Sequence, residues 1–141
     1  MNHATWKGDV LRVWRAVAGP VPLHRRMPAR TYSVYVVELS KRVFTEHARF
    51  RAANPQFNGV LQCLYVGMTS KTPQERFAQH KSGYVNAKGH KLASSIVQKY
   101  GLYLRPSLYQ HLPLMTREEA LRMEQEFTLE LRRRRYAVWS N

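Results

Sequence analysis

The most constraining feature of the sequence is a short segment that predicts a buried strand, a tight turn and a helix. Residues 61–66 form a largely apolar run with turn-forming residues before and after it, which is typical of a buried strand. The following residues predict a helix start, because Thr72 can cap the free N–H groups, Pro73 suits the first helical position and Glu75 completes a capping box. The turn is short, so the helix must begin close to the end of the strand.

Three polar side chains are expected to meet where this strand and this helix approach each other. Tyr65 lies in the strand, and Arg76 and His80 stand four residues apart, which places both of them on one helix face. A phenol, a guanidinium and an imidazole that converge on one point suit a phosphodiester better than most other substrates. The segment therefore predicts a site for a phosphodiester.

The same residues resemble the signature of the GIY-YIG nuclease family. Tyr65-Val66-Gly67 looks like the second half of that signature, and Ser33-Val34-Tyr35 looks like the first half on a preceding strand. In this family an arginine lies in the helix after the second half, and a histidine or tyrosine often follows one turn later. Arg76 and His80 stand at these two positions. The family also has a metal-binding glutamate in a later helix and an asparagine near the domain's end. These last two match Glu124 and Asn141, and the resemblance covers about residues 31–141.

Two features depart from the family pattern. Ser33 stands where the family has its first glycine, which is a small-for-small replacement. The two halves of the signature usually stand close together, whereas here an inserted segment at about residues 40–59 separates them. The resemblance therefore implies an intact core, and it does not extend to the surface that the insertion forms.

The resemblance implies a metal-dependent endonuclease that hydrolyses DNA by a one-metal, tyrosine-assisted mechanism. In similar nucleases the tyrosine matching Tyr65 helps to deprotonate the attacking water, and the one matching Tyr35 orients water or phosphate. Arg76 would stabilise charge in the transition state, and Glu124 would hold one Mg²⁺ or Mn²⁺ ion beside the leaving oxygen. His80 is expected to hydrogen-bond Tyr65 or to accept its proton. The expected catalytic residues are Tyr35, Tyr65, Arg76, His80, Glu124 and Asn141, with Glu124 as the metal ligand.

A non-catalytic nucleic-acid-binding module that retains the same fold is the alternative, since a fold does not guarantee activity. The complete set of Tyr65, Arg76, His80 and Glu124 argues against this alternative, because binding alone would not need these residues.

Charge and composition favour an anionic partner. Lys and Arg number 23 against 9 Asp and Glu, which gives a formal net charge of +14 and makes DNA the first candidate partner. No apolar run approaches the ~18 residues of a membrane span, so no membrane association is predicted beyond what a basic helix could make at a lipid surface. A single cysteine, Cys63, excludes an internal disulfide. The first thirty residues do not resemble a secretory signal, and the expected location is the cytoplasm, with the nucleoid if the source is bacterial.

Glu124 can be singled out from its helical neighbours alone. The residues three and four positions away are Ala120, Leu121, Phe127 and Thr128, all apolar or small, so Glu124 is expected to face the core. A carboxylate that faces an apolar environment costs several kcal/mol unless it has a partner. That partner is either an internal arginine or a bound cation. The resemblance favours the cation.

The basic loop at residues 84–91, which follows the predicted helix with Arg76 and His80, is expected to contact nucleic acid. Tyr84 offers a stacking surface, and Lys88, His90 and Lys91 offer positive charge, a combination found where loops meet nucleic-acid strands. A solvated loop would explain the same composition. Lys71, in the turn after the tyrosine strand, completes the expected nucleic-acid-binding set. The sequence does not predict an oligomeric state.

The whole chain predicts an α/β fold, with a small, largely antiparallel three-stranded sheet flanked by helices. Residues 1–30 are expected to form an amphipathic helix, followed by a basic, proline-rich connector, ahead of the nuclease-like domain at 31–141. The helix either packs on the domain or binds another protein. The third strand is expected over Pro106–Leu112, and a long helix follows from Thr116 to about Arg135. The apolar tail after it is expected to dock on the sheet and to bring Asn141 near the site.

Overall fold

A computed structural model describes residues 3–20, 28–83 and 94–141 of the 141-residue chain. The strands of this part are β1 (Ser33–Leu39), β2 (Cys63–Thr69), β3 (Gly101–Leu104) and β4 (Ala137–Ser140). Its helices are α1 (His3–Ala18), α2 (Arg42–Glu46), α3 (Ala48–Ala53), α4 (Pro73–Ser82), α5 (Ser95–Tyr100), α6 (Pro106–Tyr109) and α7 (Arg117–Arg133). The fold is a mixed α/β arrangement, as predicted.

The four strands form one mixed sheet in the order β3-β1-β2-β4. β1 is antiparallel to β2 and to β3, whereas β4 runs parallel to β2. The register places Tyr35 opposite Gly67, and it places Tyr65 between Val37 and Trp139. Because residues that face each other across strands share a side of the sheet, both tyrosines lie on the same face.

The prediction of three strands is wrong in number and in the position of the third strand. The predicted segment at residues 106–112 begins with the short helix α6 instead, since Pro106 lacks an N–H for a strand ladder and suits the first turn of a helix. The third strand lies just before it, at Gly101–Leu104. The fourth strand is the C-terminal tail, which docks on the sheet as predicted but does so by pairing with β2.

Helix α1 packs on the rest of the molecule, which decides between the two alternatives that the sequence leaves open. Trp6 is buried, donates a hydrogen bond from Nε1 to the carbonyl of Leu108 at 2.8 Å, and contacts the edge of Phe127 at 5.5 Å between ring centroids. Asp9 forms an ion pair with Arg134 near the end of α7. Most of the connector after α1 lies outside the described residues.

The insertion between the two tyrosine strands contains the two short helices α2 and α3. The break between them lies at His47, whose Nδ1 accepts a hydrogen bond from the backbone N–H of Phe50 at 3.1 Å and so caps α3. This contact gives His47 a structural role.

Within the described ranges, no helix has the length and apolar character that crossing a bilayer requires. The longest helix, α7, has 17 residues and carries acidic and basic side chains along its length.

Candidate active site

Two buried tyrosines form the centre of the site, and a glycine makes room for them. Tyr35 is 1% exposed and Tyr65 2%, and their ring centroids are 6.3 Å apart. A Cβ atom added at Gly67 would lie 2.6 Å from the hydroxyl of Tyr35 and 2.8 Å from Cε1 of Tyr65. The glycine is therefore needed for space, because any side chain at this position would force the phenols to move.

Helix α4 places an arginine and a histidine beside these phenols. The hydroxyl of Thr72 accepts from the N–H of Glu75 at 3.1 Å, Pro73 opens the helix, and Gly83 ends it with a left-handed backbone at φ 70°. These signals fix the start and the end of the helix as the sequence predicts. Arg76 is half-buried on it, and His80 is fully buried.

The hydrogen bonds of His80 define its tautomer. The backbone N–H of Ser94 donates to Nδ1 at 2.7 Å, so Nδ1 carries no proton. The neutral ring therefore carries its proton on Nε2, which lies 2.9 Å from the hydroxyl oxygen of Tyr35 and donates to it. Burial, followed by the nearby charge of Arg76, lowers the pKa of His80 to about 4, so the ring is neutral at pH 7.

This arrangement differs from the expected bond between His80 and Tyr65. His80 contacts Tyr65 only through the rings, edge-on at 5.6 Å between centroids, and its hydrogen bond goes to Tyr35. Both imidazole nitrogens are already engaged, so His80 cannot take the proton of Tyr65 without breaking a bond. Its role in this geometry is to orient the hydroxyl of Tyr35.

The hydroxyl oxygen of Tyr65 accepts a hydrogen bond from a residue far away in sequence. Asn141 donates from Nδ2 at 2.8 Å. Burial, the largest effect, raises the pKa of both Tyr65 and Tyr35. The donor on the oxygen of Tyr65 favours negative charge there, against the effect of burial.

Arg76 supplies positive charge to the same cluster. Its Nη1 donates to Oε1 of Gln79 at 3.1 Å. Burial raises the pKa values of Tyr35 and Tyr65 and lowers that of His80, and the charge of Arg76 acts on all three towards lower values. The rings of Tyr35, Tyr65 and His80 lie together, and Arg76 acts on them through its charge.

Glu124 is the acidic member of the site. It is 6% exposed, and burial raises the pKa of its carboxyl group to about 7, while the backbone of Asn141 opposes that rise. Its negative charge adds to the rise that burial gives the pKa values of Tyr65 and Tyr35.

The ion pairs within the described residues do not include Glu124, so an arginine partner is not found there. Another buried acid on the same helix behaves differently. Glu119 accepts both hydrogen bonds of a two-pronged contact with Arg30, at 3.0 and 2.9 Å, which holds its pKa below the usual value. A buried carboxylate without such a cation is the kind of group that a metal ion can compensate.

The side chains that could bind a metal differ from one kind of metal site to another, and those near Glu124 suit some kinds better than others. The described part of the chain has no group of three or more His, Cys, Asp or Glu side chains suited to a metal. Mg²⁺ is commonly held by one or two carboxylates and completes its shell with water and substrate phosphate oxygens. Glu124 as a single carboxylate ligand therefore fits one Mg²⁺ or Mn²⁺ ion, and the set does not fit a zinc or two-metal centre.

The expected nucleic-acid contacts are only partly described. Lys71 is exposed in the turn between β2 and α4, where its backbone N–H donates to Oγ1 of Thr69 at 3.0 Å. The remaining members of the set, Tyr84, Lys88, His90 and Lys91, lie outside the described residues.

The basic run at the end of α7 is partly engaged within the molecule. Arg132 donates to the side chain of Asn54 and to the carbonyl of Val138, at 3.2 and 2.8 Å. Arg133 and Arg134 both pair with Glu130. These contacts favour a structural role for the run.

Two residues of the site arrangement escape prediction from the sequence. Ser94 caps α5, which a Ser before a helical pattern can indicate, but its bond to His80 depends on the fold. The sequence predicts only a helix stop at Asn54, and the structure buries this side chain fully against β4.

No protein-family model, no curated protein and no solved structure matches this chain. The likeness to the GIY-YIG family therefore remains a prediction from the motif residues.

Proposed function

We propose that this protein is a GIY-YIG-type endonuclease that hydrolyses phosphodiester bonds in DNA with the aid of one divalent cation. The observation that carries the proposal is the hydrogen-bonded cluster around Tyr65. Its oxygen accepts a hydrogen bond from Asn141 at 2.8 Å, beside the ring of Tyr35, the charge of Arg76 and the buried Glu124. A structural core has little use for such a set, because apolar residues would fill the same space at lower cost.

Each side chain has a distinct role in this proposal. Tyr65 activates the attacking water, and Asn141, which donates to its oxygen, stabilises the negative charge that develops there. Tyr35 orients the water or the phosphate and is itself oriented by Nε2 of His80. Arg76 offsets the charge that builds up on the phosphate in the transition state. His80 is therefore a positioning residue, while Tyr65 and Arg76 act on the reacting atoms.

The phenol of Tyr65 is protonated in the absence of other charges, because burial raises its pKa. Glu124 would hold a Mg²⁺ or Mn²⁺ ion, which would polarise the phosphate, stabilise the leaving oxygen and lower the pKa of the nearby phenol. The single carboxylate and the scarcity of acids elsewhere support one ion rather than two.

DNA is the proposed partner, since the formal net charge of +14 favours a polyanion. A DNA substrate is consistent with the cytoplasm as the place of action, and with the nucleoid if the source is bacterial.

A cleavage assay tests the proposal directly. The purified protein is incubated with plasmid and with flap, branched and mismatched oligonucleotides, in Mg²⁺, in Mn²⁺ and in EDTA. Metal-dependent cleavage should be lost in Tyr65→Phe and kept in Tyr103→Phe, because Tyr103 is exposed on the edge strand β3 and its hydroxyl donates to Glu38. Absence of cleavage on every substrate with either metal would contradict the enzymatic function.

A non-catalytic nucleic-acid-binding module is the second candidate. One observation favours it: the described residues offer no group of three acidic or imidazole ligands for a metal. Tight, salt-sensitive DNA binding without cleavage would decide for this candidate.

A further inference from the structure

The outer edge of β4 is bound chiefly by the side chain of Asn54, and Arg132 also donates to the carbonyl of Val138 at 2.8 Å. Val138 has its strand partner Leu64 on one side, and on the other side its N–H donates to Oδ1 of Asn54 at 2.7 Å. Nδ2 of Asn54 donates to the carbonyl of the same residue at 3.1 Å. The amide thus makes both bonds that a residue of a neighbouring strand would make.

Other groups use the remaining hydrogen-bonding capacity of the Asn54 side chain. Its Nδ2 donates to the carbonyl of Phe50 at 2.8 Å, and its Oδ1 accepts from Arg132 at 3.2 Å and from Gln56 at 3.2 Å. Asn54 is 0% exposed. A buried amide with all its hydrogen-bonding capacity in use has one defined position. Val138, to which this amide is hydrogen-bonded, is therefore also fixed in position.

Other residues of the insertion reinforce the same strand. Gln56 donates to the carbonyl of Tyr136 at 2.8 Å, and the ring of Phe50 stacks on Trp139 at 6.3 Å between centroids. β4 has only four residues and pairs with one strand. A strand so short needs contacts on its second side to keep its position.

We propose that Asn54 is a positioning residue for the catalytic site, acting through β4 on Asn141 and so on Tyr65. The inference rests on the proposed function, because Tyr65 matters as a base only if the protein cleaves DNA. Val138 is three residues ahead of Asn141, and the strand carries Asn141 to within 2.8 Å of the hydroxyl of Tyr65. The insertion between the two signature halves thus contributes to the site, because it holds the strand that completes it.

Double-mutant kinetics test this coupling. If Asn54 acts through Asn141, then Asn54→Ala lowers kcat by about tenfold or more with little change in KM. In the Asn141→Ala background the same change has less than about a twofold further effect, since the interaction it supports is already gone. Asn58→Ala is the matched control, because Asn58 lies in the same insertion and its side chain accepts from Val60 and Leu61 rather than from β4. An equal loss in both backgrounds would overturn the proposal.

A spectroscopic readout separates this proposal from the proposed function. In ¹⁵N-labelled protein without DNA, the side-chain amide signal of Asn141 is identified by its loss in Asn141→Ala. The signal is expected to move in Asn54→Ala towards its position in Tyr65→Phe, where the hydrogen-bond acceptor is absent. If it stays at the wild-type position, Asn54 does not position Asn141, whether or not the protein cuts DNA.

Should Asn54→Ala fail to fold, Asn54→Asp serves in its place. It keeps the volume and the acceptor for Val138, and it loses the donors to the carbonyls of Val138 and Phe50. The same shift of the Asn141 signal is expected, and an unmoved signal again overturns the proposal.

Discussion

Asn141 donates a hydrogen bond from Nδ2 to the hydroxyl of Tyr65 at 2.8 Å, across a sequence separation of 76 residues. The bond exists because β4 runs parallel to β2 and places Trp139 beside Tyr65. Burial raises the pKa of Glu124, and the backbone of Asn141 acts against that rise. Asn141 therefore affects both the proposed base and the proposed metal ligand, and the predictions below concern these groups.

Tyr65→Phe is expected to abolish most of the activity while the fold survives. The ring stays, so packing is kept, and the lost hydroxyl leaves Asn141 without one acceptor at a cost of about 1 kcal/mol. Cleavage should fall by roughly 10²–10⁴-fold, the usual contribution of a general base. Single-turnover rates and a thermal melt measure the two effects. A variant that cuts DNA at the wild-type rate would show that Tyr65 is not the base.

Gly67→Ala is expected to damage both the site and the fold. The new methyl group would lie 2.6 Å from the hydroxyl of Tyr35, so the phenols must shift, with a destabilisation of roughly 1–3 kcal/mol. Gly8→Ala is the control, because its methyl group would meet nothing within 4 Å and alanine favours a helix. Denaturant unfolding and cleavage rates are measured on both. Equal behaviour of the two variants would contradict the steric role of Gly67.

Glu124→Gln is expected to remove cleavage and to keep DNA binding. The amide has nearly the same volume and lacks the charge that holds a cation, and the loss of a negative charge near the phosphate should leave metal-free binding equal or tighter. Glu126→Gln, on the exposed side of the same helix, should behave like the wild type. Cleavage and binding are measured with and without Mg²⁺. A Glu124→Gln protein that cuts DNA would rule out the metal-ligand role.

The stability of metal-free Glu124→Gln relative to wild type should depend on pH. Burial raises the pKa of Glu124 to about 7 from 4.5, so the folded state holds this proton more tightly, and the wild type loses stability as pH rises between these values. The variant lacks this loss and should be more stable at pH 7.5, by up to about 3 kcal/mol, with little difference near pH 4.5.

His80 gives the wild type and Glu124→Gln a pH dependence of stability that is opposite in sign to that of Glu124. Its pKa is lowered to about 4 from 6.5, so its contribution to stability is lost as pH falls through that range. The comparison of variant with wild type cancels this effect. Urea unfolding at several pH values gives the difference, and a difference that is constant from pH 4.5 to pH 7.5 would mean that Glu124 is not buried as described.

DNA binding should weaken steeply as salt rises. For duplex DNA the logarithm of the association constant falls with the logarithm of salt concentration, with a slope of about −0.9 for each phosphate neutralised. Lys71→Ala should make the slope shallower by about 0.9, the contribution of one phosphate. Lys7→Ala, on α1, should leave the slope unchanged. Fluorescence titrations at several salt concentrations give the slopes. Affinity that does not respond to salt would contradict a DNA partner.

The strand–turn–helix at the centre of the site is predictable because its signals are local. Thr72, Pro73 and Gly83 act on backbone groups within a few residues of themselves, so their effect needs no knowledge of the rest of the chain. The inward direction of Glu124 is likewise predictable from its helical neighbours, and the structure confirms that it is buried.

The remaining features depend on contacts between distant segments. The tail from Ala137 to Ser140 is a strand because β2 and Asn54 complete its hydrogen bonds, and its own residues carry no such information. The third strand is misplaced by the sequence pattern for a similar reason, since Gly101–Leu104 is short and is defined by its pairing with β1. The partner of His80 is set by sheet register and by Ser94, which no local pattern reveals.

The two edges of the sheet also bear on how this protein behaves at high concentration. On β4 the side chain of Asn54 already makes both hydrogen bonds of Val138 that another strand would seek. At the opposite edge, the ammonium of Lys81 donates to the carbonyl of Gly101 at 2.9 Å. These contacts occupy backbone groups on which edge-to-edge pairing of two molecules would otherwise start. Until Asn54 reaches Val138 during refolding, the N–H and the carbonyl of that residue are open to a strand of another molecule.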